Sequence, residues 1–219
     1  MIPIRDDNPR RLLPIVTIVT IAINVAVFIY QLTLSQDDQL KFLYNFGAVP
    51  NLIVHGQNLY TILSSMFMHG GLMHLAGNML YLWIFGDNVE GICGHGRFVI
   101  FYLLCGLIAF LSHFIFDPVS QFPMVGASGA ISGIMGAYIL RFPRARVHVV
   151  VPLLPFIWLW RRLDLPAFVV LGFWLLLQIF NAFFSTAGSG VAWFAHVGGF
   201  AAGVLLIRLF EKKNYRVYY

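Results

Sequence analysis

Val125–Ala137 reads VGASGAISGIMGA: Gly126, Gly129, Gly133 and Gly136, with Ser128 and Ser132, inside a run that is otherwise apolar. In water such a density of glycine argues against a helix, because each costs about 1 kcal/mol relative to alanine. In a bilayer the argument reverses, since small residues let helix backbones approach closely. Gly129 and Gly133 stand at i and i+4, with Gly136 three further on, so they share one face. Ser128 lies beside that face in its first turn. Taken alone, the stretch reads as a glycine-lined helix contact carrying an incidental serine. Its meaning depends on what the rest of the chain places opposite it.

Composition decides the solvent. Of 219 residues 59% are hydrophobic and 11% are charged, against roughly 25% charged in soluble domains. The expected class is an all-α, polytopic membrane protein. Cys93 and Cys105 offer no disulfide framework and read as packing thiols. Working outward, Leu12–Leu34, Leu72–Phe85, Phe98–Phe116, the glycine segment to Leu140, Leu165–Phe184 and Val191–Phe210 are six apolar segments, read as spans by composition and length. The first is too long for a signal-peptide core and lacks a small-residue cleavage site, so it is expected to be a mature helix. Residues 1–11 form a polar basic lead, 12–210 the six-helix domain, and 211–219 a basic tail; Gly86–Arg97 reads as a polar corner between the second and third spans, and Ser185–Gly190 as a small turn before the sixth. Ser35–Gly71 is a long connection rich in aromatic residues, expected to lie half-embedded against the helices. Arg141–Asp164 carries five arginines around Val147–Trp160, which holds Pro152 and Pro155. That core is too short to span and is expected to lie in the interface, anchored by Trp158 and Trp160.

Six spans put both termini on one side, and charge selects which. With the N-terminus in the cytoplasm, thirteen of the fourteen Lys and Arg residues face inward, Lys41 being the exception. This positive-inside pattern predicts a multi-pass protein of the cell membrane with cytoplasmic termini. It accounts for the net charge of +5 without nucleic acid.

Polar residues inside a span are expensive and therefore functional by default. His74 and Asn78 stand at i and i+4 in the second span, Ser128 and Ser132 likewise in the fourth, and His196 is followed by Gly199 and Gly203 on one face of the sixth. These three spans run in the same direction, which places His74, Asn78, Ser128 and His196 in one layer near the outer surface. Each residue alone fits a satisfied polar contact; the set in one layer points to a site. A serine hydroxyl needs an adjacent base, and histidine suits that role near neutral pH.

The blocks HGGLMHLAGN (His69–Asn78), GASG (Gly126–Gly129) running on to Gly133, and AHVGGFAAG (Ala195–Gly203) resemble the three signature blocks of the rhomboid intramembrane serine proteases, in that family's order and across the six-span core. The resemblance implies a six-transmembrane-helix rhomboid-like bundle in which Ser128 is the nucleophile and His196 the general base of a Ser–His dyad. It implies that Asn78 and His74 stabilise an oxyanion, that His69 packs and hydrogen-bonds near that pair, and that Glu90 is a structural acid at the inner end of the second helix. Gly126, Gly129, Gly133, Gly199 and Gly203 supply close approach around the site. No metal and no cofactor is expected; the partners are transmembrane protein substrates and the bilayer, and the oligomeric state is left open. Two departures stand out. Many rhomboids carry a Trp-Arg pair in the first loop where this chain has Tyr60-Thr61, and some place an aromatic residue on the base histidine where this chain has Ser132.

Three rivals are weighed. An inactive relative serving as a membrane chaperone or binding protein usually loses the dyad, which is intact here. A small transporter would want charged groups near the midplane, and the spans lack them. A metalloprotease would want His-Glu-x-x-His, and His69 and His74 are five apart.

Overall fold

The computed structural model describes residues 1–10, 12–154, 157–185 and 191–213, with backbone alone over 152–160. All but Ser185 of the expected turn Ser185–Gly190, the tail beyond residue 213 and the anchoring side chains of Trp158 and Trp160 lie outside the described residues. The order is β1 (Ile2–Asp6), α1 (Ile15–Thr33), α2 (Gln36–Phe46), α3 (Pro50–Val54), α4 (Thr61–Ser64) with a 3-10 turn at Ser65–Phe67, α5 (Leu72–Cys93), α6 (His95–Phe116), α7 (Ser128–Arg141), β2 (Arg146–Leu154), β3 (Ile157–Pro166), α8 (Ala167–Phe184) and α9 (Trp193–Phe210). Of these helices, α1, α6, α8 and α9 are long and apolar enough to cross a membrane.

Helix α1 is an amphipathic helix turned inside out. Thr17, Thr20, Asn24, Phe28 and Gln31 face inward, while Ile18, Val19, Ile23, Ile29 and Leu32 are exposed. In water this arrangement would be unfavourable; it fits a hydrocarbon solvent. Helix α8 likewise exposes Phe173, Leu176, Phe180, Phe183 and Phe184.

Helix α7 is the opposite case, buried continuously from Ala130 to Tyr138. It packs between α6 and α9, and glycine is what lets it fit. A Cβ on Gly199 would meet the backbone carbonyl of Gly129, and one on Gly203 that of Gly133; Cβ atoms on Gly129 and Gly133 would meet Ala109 and Cys105 of α6. The glycines of α9 therefore sit on the α7 backbone, and those of α7 sit on α6. With side chains of ordinary size neither approach is possible.

Two expectations need correction. The fold is mostly helical, not all-α, because the basic lead and the arginine-rich connection join in a three-stranded antiparallel sheet of order β1-β2-β3. Ile2 pairs with Val150 and Asp6 with Val147, and β2 and β3 form a hairpin. His148 clamps this sheet, its Nε2 lying 2.7 Å from Asp7 and its Nδ1 2.5 Å from Asp164. The hydrogen bond to Asp7 raises the pKa of His148 and lowers that of Asp7. The second correction concerns Gly86–Arg97, expected as a polar corner. Helix α5 instead runs on to Cys93, with Asp87, Asn88 and Glu90 all buried.

That extension is possible because each polar group finds partners. Glu90 accepts from the N–H groups of Val16 and Thr17 at 2.9 and 2.8 Å and from the Thr17 hydroxyl at 2.7 Å, and meets His95 Nδ1 at 2.6 Å. A carboxylate from α5 thus satisfies the first free N–H groups of α1, which the helix itself leaves unpaired.

Candidate functional site

Ser128 is the first residue of α7, preceded by Gly126 at φ 122°, a conformation glycine adopts at no steric cost. Glycine is needed there for space as well. A Cβ at Gly126 would lie 2.8 Å from the His74 ring and 3.6 Å from Asn78 Nδ2. The turn therefore presses its backbone against the two polar residues that α5 contributes. The Gly126 N–H donates to Ser65 O at 2.9 Å and Ala48 bridges Met124, so the connection between α1 and α5 holds the turn from the other side.

Across from Ser128, α9 delivers His196. Its Nε2 lies 2.9 Å from Ser128 Oγ, a hydrogen bond between residues 68 apart in sequence, made possible by the Gly199–Gly129 approach one turn below. The other ring nitrogen, Nδ1, lies 2.9 Å from Gln178 Oε1 on α8. Trp174 and Trp193 flank the imidazole at ring-centroid distances of 5.9 and 6.0 Å.

A cavity of about 1260 Å³ is lined by His74, Asn78, Ser128, Trp174, Gln178 and His196 among others. Asn78 Nδ2 is buried and has no hydrogen-bonding partner among the described residues. A buried amide left spare is unusual, and this one sits beside Gly126 in the cavity wall. The Ser128 N–H, at the start of its helix, has no intrahelical partner either.

His69 differs in part from expectation. Its ring packs edge-on against His74 at 5.1 Å, but neither ring nitrogen meets a partner among the described residues. Its hydrogen bonds are those of the backbone: the N–H donates to Gln31 Oε1 at 3.3 Å and the carbonyl accepts from Gln31 Nε2 at 3.1 Å. The residue pins the loop to α1.

Both departures from the resemblance have a local structural answer. In place of a Trp-Arg pair, the Tyr60 hydroxyl donates to Asn45 O at 2.9 Å and Thr61 Oγ1 to Asn58 O at 2.7 Å, tying the loop to itself. Ser132 turns away from His196 and donates to Ser128 O at 2.7 Å. The imidazole is held by Gln178 instead. The polar residues Gln31 and Gln178, both inside apolar segments, were the available signals that the sequence reading passed over.

Comparison with known proteins agrees with this architecture. A family model described as Rhomboid domain matches residues 56–213. The chain is 35% identical over 124 residues to Rhomboid protease GluP of Bacillus subtilis, covering 57% of this chain and 24% of that protein. It is 35% identical over 91 residues to the mitochondrial Presenilin-associated rhomboid-like protein of Mus musculus, covering 41% of this chain and 24% of that one. With RHOMBOID-like protein 5 of Arabidopsis thaliana the identity is 33% over 95 residues, 43% of this chain and 31% of that one. The chain thus spans about a quarter to a third of the length of these relatives. With the family model covering more than half of its length, and with the three blocks folded around one cavity, the chain belongs to the rhomboid family.

Proposed function

We propose that this chain is an intramembrane serine endopeptidase that cleaves transmembrane segments of other proteins near the outer face of the membrane. The observation that carries the reading is the 2.9 Å contact between Ser128 Oγ and His196 Nε2 at the wall of a cavity inside a lipid-facing bundle. The Ser128 hydroxyl gives its proton to His196 Nε2 as Oγ attacks the scissile carbonyl. The developing oxyanion is met by the Ser128 N–H, by Asn78 Nδ2 and by His74. His196 then returns the proton to the leaving amine, and water reverses the sequence on the acyl-enzyme. Water must reach the site, which is why a shallow layer suits the chemistry.

The topology belongs to the same proposal. Helices α5 and α7 join the four apolar helices as spans, giving six, with both termini cytoplasmic and the sheet on the inner face. Ser35–Gly71 lies half-embedded beside α1. Helix-destabilising residues near the outer end of the substrate are the expected recognition feature, because an intact helix hides its carbonyls in i to i−4 bonds.

The test is incubation of the purified protein, in lipid, with a model transmembrane substrate. Ser128→Ala and His196→Ala should each lower cleavage on the order of 10⁴-fold or more while leaving thermal stability nearly unchanged, and chelators should have no effect. Full activity in Ser128→Ala overturns the reading.

A further inference from the structure

Gln178 has no part in the chemistry described so far, yet it is the polar side chain placed on the far nitrogen of His196. It stands on α8, in the midst of a helix that is otherwise apolar, and is buried at 6% exposure. Its Nε2 lies 3.1 Å from Trp174 O and its Oε1 lies 2.9 Å from His196 Nδ1. A backbone carbonyl can only accept a hydrogen bond, so the amide NH₂ must face Trp174 and the amide oxygen must face the histidine. An oxygen acceptor at Nδ1 requires that Nδ1 carry the proton. The lone pair is then on Nε2, directed at Ser128 Oγ.

We propose that Gln178 is a positioning residue that fixes the His196 tautomer and ring angle, so that Nε2 is the basic nitrogen facing Ser128. The inference rests on the reading of Ser128 and His196 as nucleophile and base. The chain runs from Trp174 O through the Gln178 amide and the imidazole to the Ser128 hydroxyl, and each member has one chemically sensible orientation. In triads of serine hydrolases a carboxylate performs this task. An amide performs it without placing a charge in an apolar helix, where an ionised side chain is costly. Burial alone does not explain the glutamine. An apolar side chain of similar volume would leave Nδ1–H buried without an acceptor, a costly loss. Because Ser132 is committed to Ser128 O, the contact that α7 makes with the ring is that of Ser128 at Nε2.

Three variants and one spectrum test this. Gln178→Leu keeps the volume and removes the acceptor. Its kcat on a transmembrane substrate should fall about tenfold, the worth of one neutral hydrogen bond, with KM unchanged and a lower thermal midpoint from the stranded Nδ1–H. The rate of acylation by a fluorophosphonate, which reports Ser128 alone, should fall in parallel. Gln178→Glu should recover most of both rates, because a carboxyl group, ionised or protonated, still offers an oxygen to Nδ1–H. In ¹⁵N-histidine spectra of the unmodified protein, the signal that His196→Ala removes should show a protonated Nδ1 and an unprotonated Nε2, an observation independent of how any Gln178 variant folds. The opposite tautomer, a Leu variant within twofold of the parent, or equal loss in the Leu and Glu variants overturns the inference. If the parent protein neither cleaves nor reacts with the fluorophosphonate, the serine-protease reading falls and this inference with it. If the parent reacts and Gln178→Leu does so equally fast, only the role of Gln178 falls.

Discussion

The two ends of α5 solve the same problem in opposite ways. Asn78 and Glu90 are twelve residues apart, roughly 18 Å along one helix, and both are buried. At the Glu90 end polar groups are matched. Glu90 has four hydrogen-bonding contacts, Asp87 meets Arg10 at 2.7 Å, and Asp6 accepts from Tyr138 and Asn88. At the Ser128 end Asn78 Nδ2 and both His69 ring nitrogens have no partner among the described residues. A saturated polar cluster fixes how helices meet, whereas the spare Asn78 amide in the cavity wall has something still to bind. The difference assigns architecture to one end and chemistry to the other.

The largest effect that would sharpen this contrast is expected from Asn78→Ala. If Asn78 is reserved for a transition state, its loss should lower kcat by about 10²–10³-fold and leave the thermal midpoint within a degree or two, since no folded-state bond is broken. A midpoint that falls together with activity would make Asn78 a structural residue like those at the other end.

Glu90→Ala should do the reverse. It strands the N–H groups of Val16 and Thr17 together with the Thr17 hydroxyl, at about 1–3 kcal/mol for each buried unsatisfied group. A total near 3 kcal/mol, read as lost thermal stability in detergent, is the expected result, and the turnover of whatever protein remains folded should be nearly normal. A Glu90→Ala protein as stable as the parent would remove the structural half of the contrast.

How far the sequence revealed these two ends follows from the range of the forces involved. The Ser128 end was legible because its signals are local: i, i+4 pairing of His74 with Asn78, glycines at helical spacing on α7 and α9, and serine beside them. The Glu90 end was not. Asp87, Asn88 and Glu90 looked like a solvated corner because a lone charge in an apolar helix is costly. What makes them affordable is supplied by Arg10, Thr17 and Asp6, more than seventy residues earlier. The strand at Ile2–Asp6 depends in the same way on Arg146–Leu154, and β pairing at that separation leaves little trace in a local pattern. Gln178 was missed for another reason: a single amide in an apolar run signals a polar contact and does not say with what.

Gly199→Val tests what joins the ends, the approach of α7 and α9. A side chain here would strike the Gly129 carbonyl, so the helices must part or the variant must misfold. Overpacking typically costs about 1–3 kcal/mol, and a shift of roughly 1 Å at a reactive pair costs on the order of a hundredfold in rate. Stability and activity should therefore fall together, a signature neither Asn78→Ala nor Glu90→Ala is expected to give. Unchanged stability and turnover would mean that α7 and α9 do not meet where they are described.

The smallest effect concerns Asp6, the member of the saturated end least suited to carrying charge. Burial outweighs the hydrogen bonds from Tyr138 and Asn8 and raises its pKa from 3.8 to about 6. The sign follows from the folded value lying above the unfolded one. The protonated form is favoured by folding, so the contribution of Asp6 is fully present below pH 3.8 and is lost as pH rises through about 6. At neutral pH the carboxylate is ionised at a cost to the fold. Asp6→Asn cannot ionise, and its amide oxygen can still accept from Tyr138. It should raise the thermal midpoint at pH 7.5 and raise it by less at pH 5, the gain vanishing only below pH 3.8, measured on the same preparation in the same detergent. The His148 clamp moves in the same sense, since its pairing with Asp7 and Asp164 is also lost as pH rises through the raised histidine pKa, so His148→Gln serves as the control that separates the two. A gain from Asp6→Asn that is equal at both pH values, or a loss at pH 7.5, would show that Asp6 is held as a working carboxylate, and the Glu90 end would then contain a charge that the fold depends on.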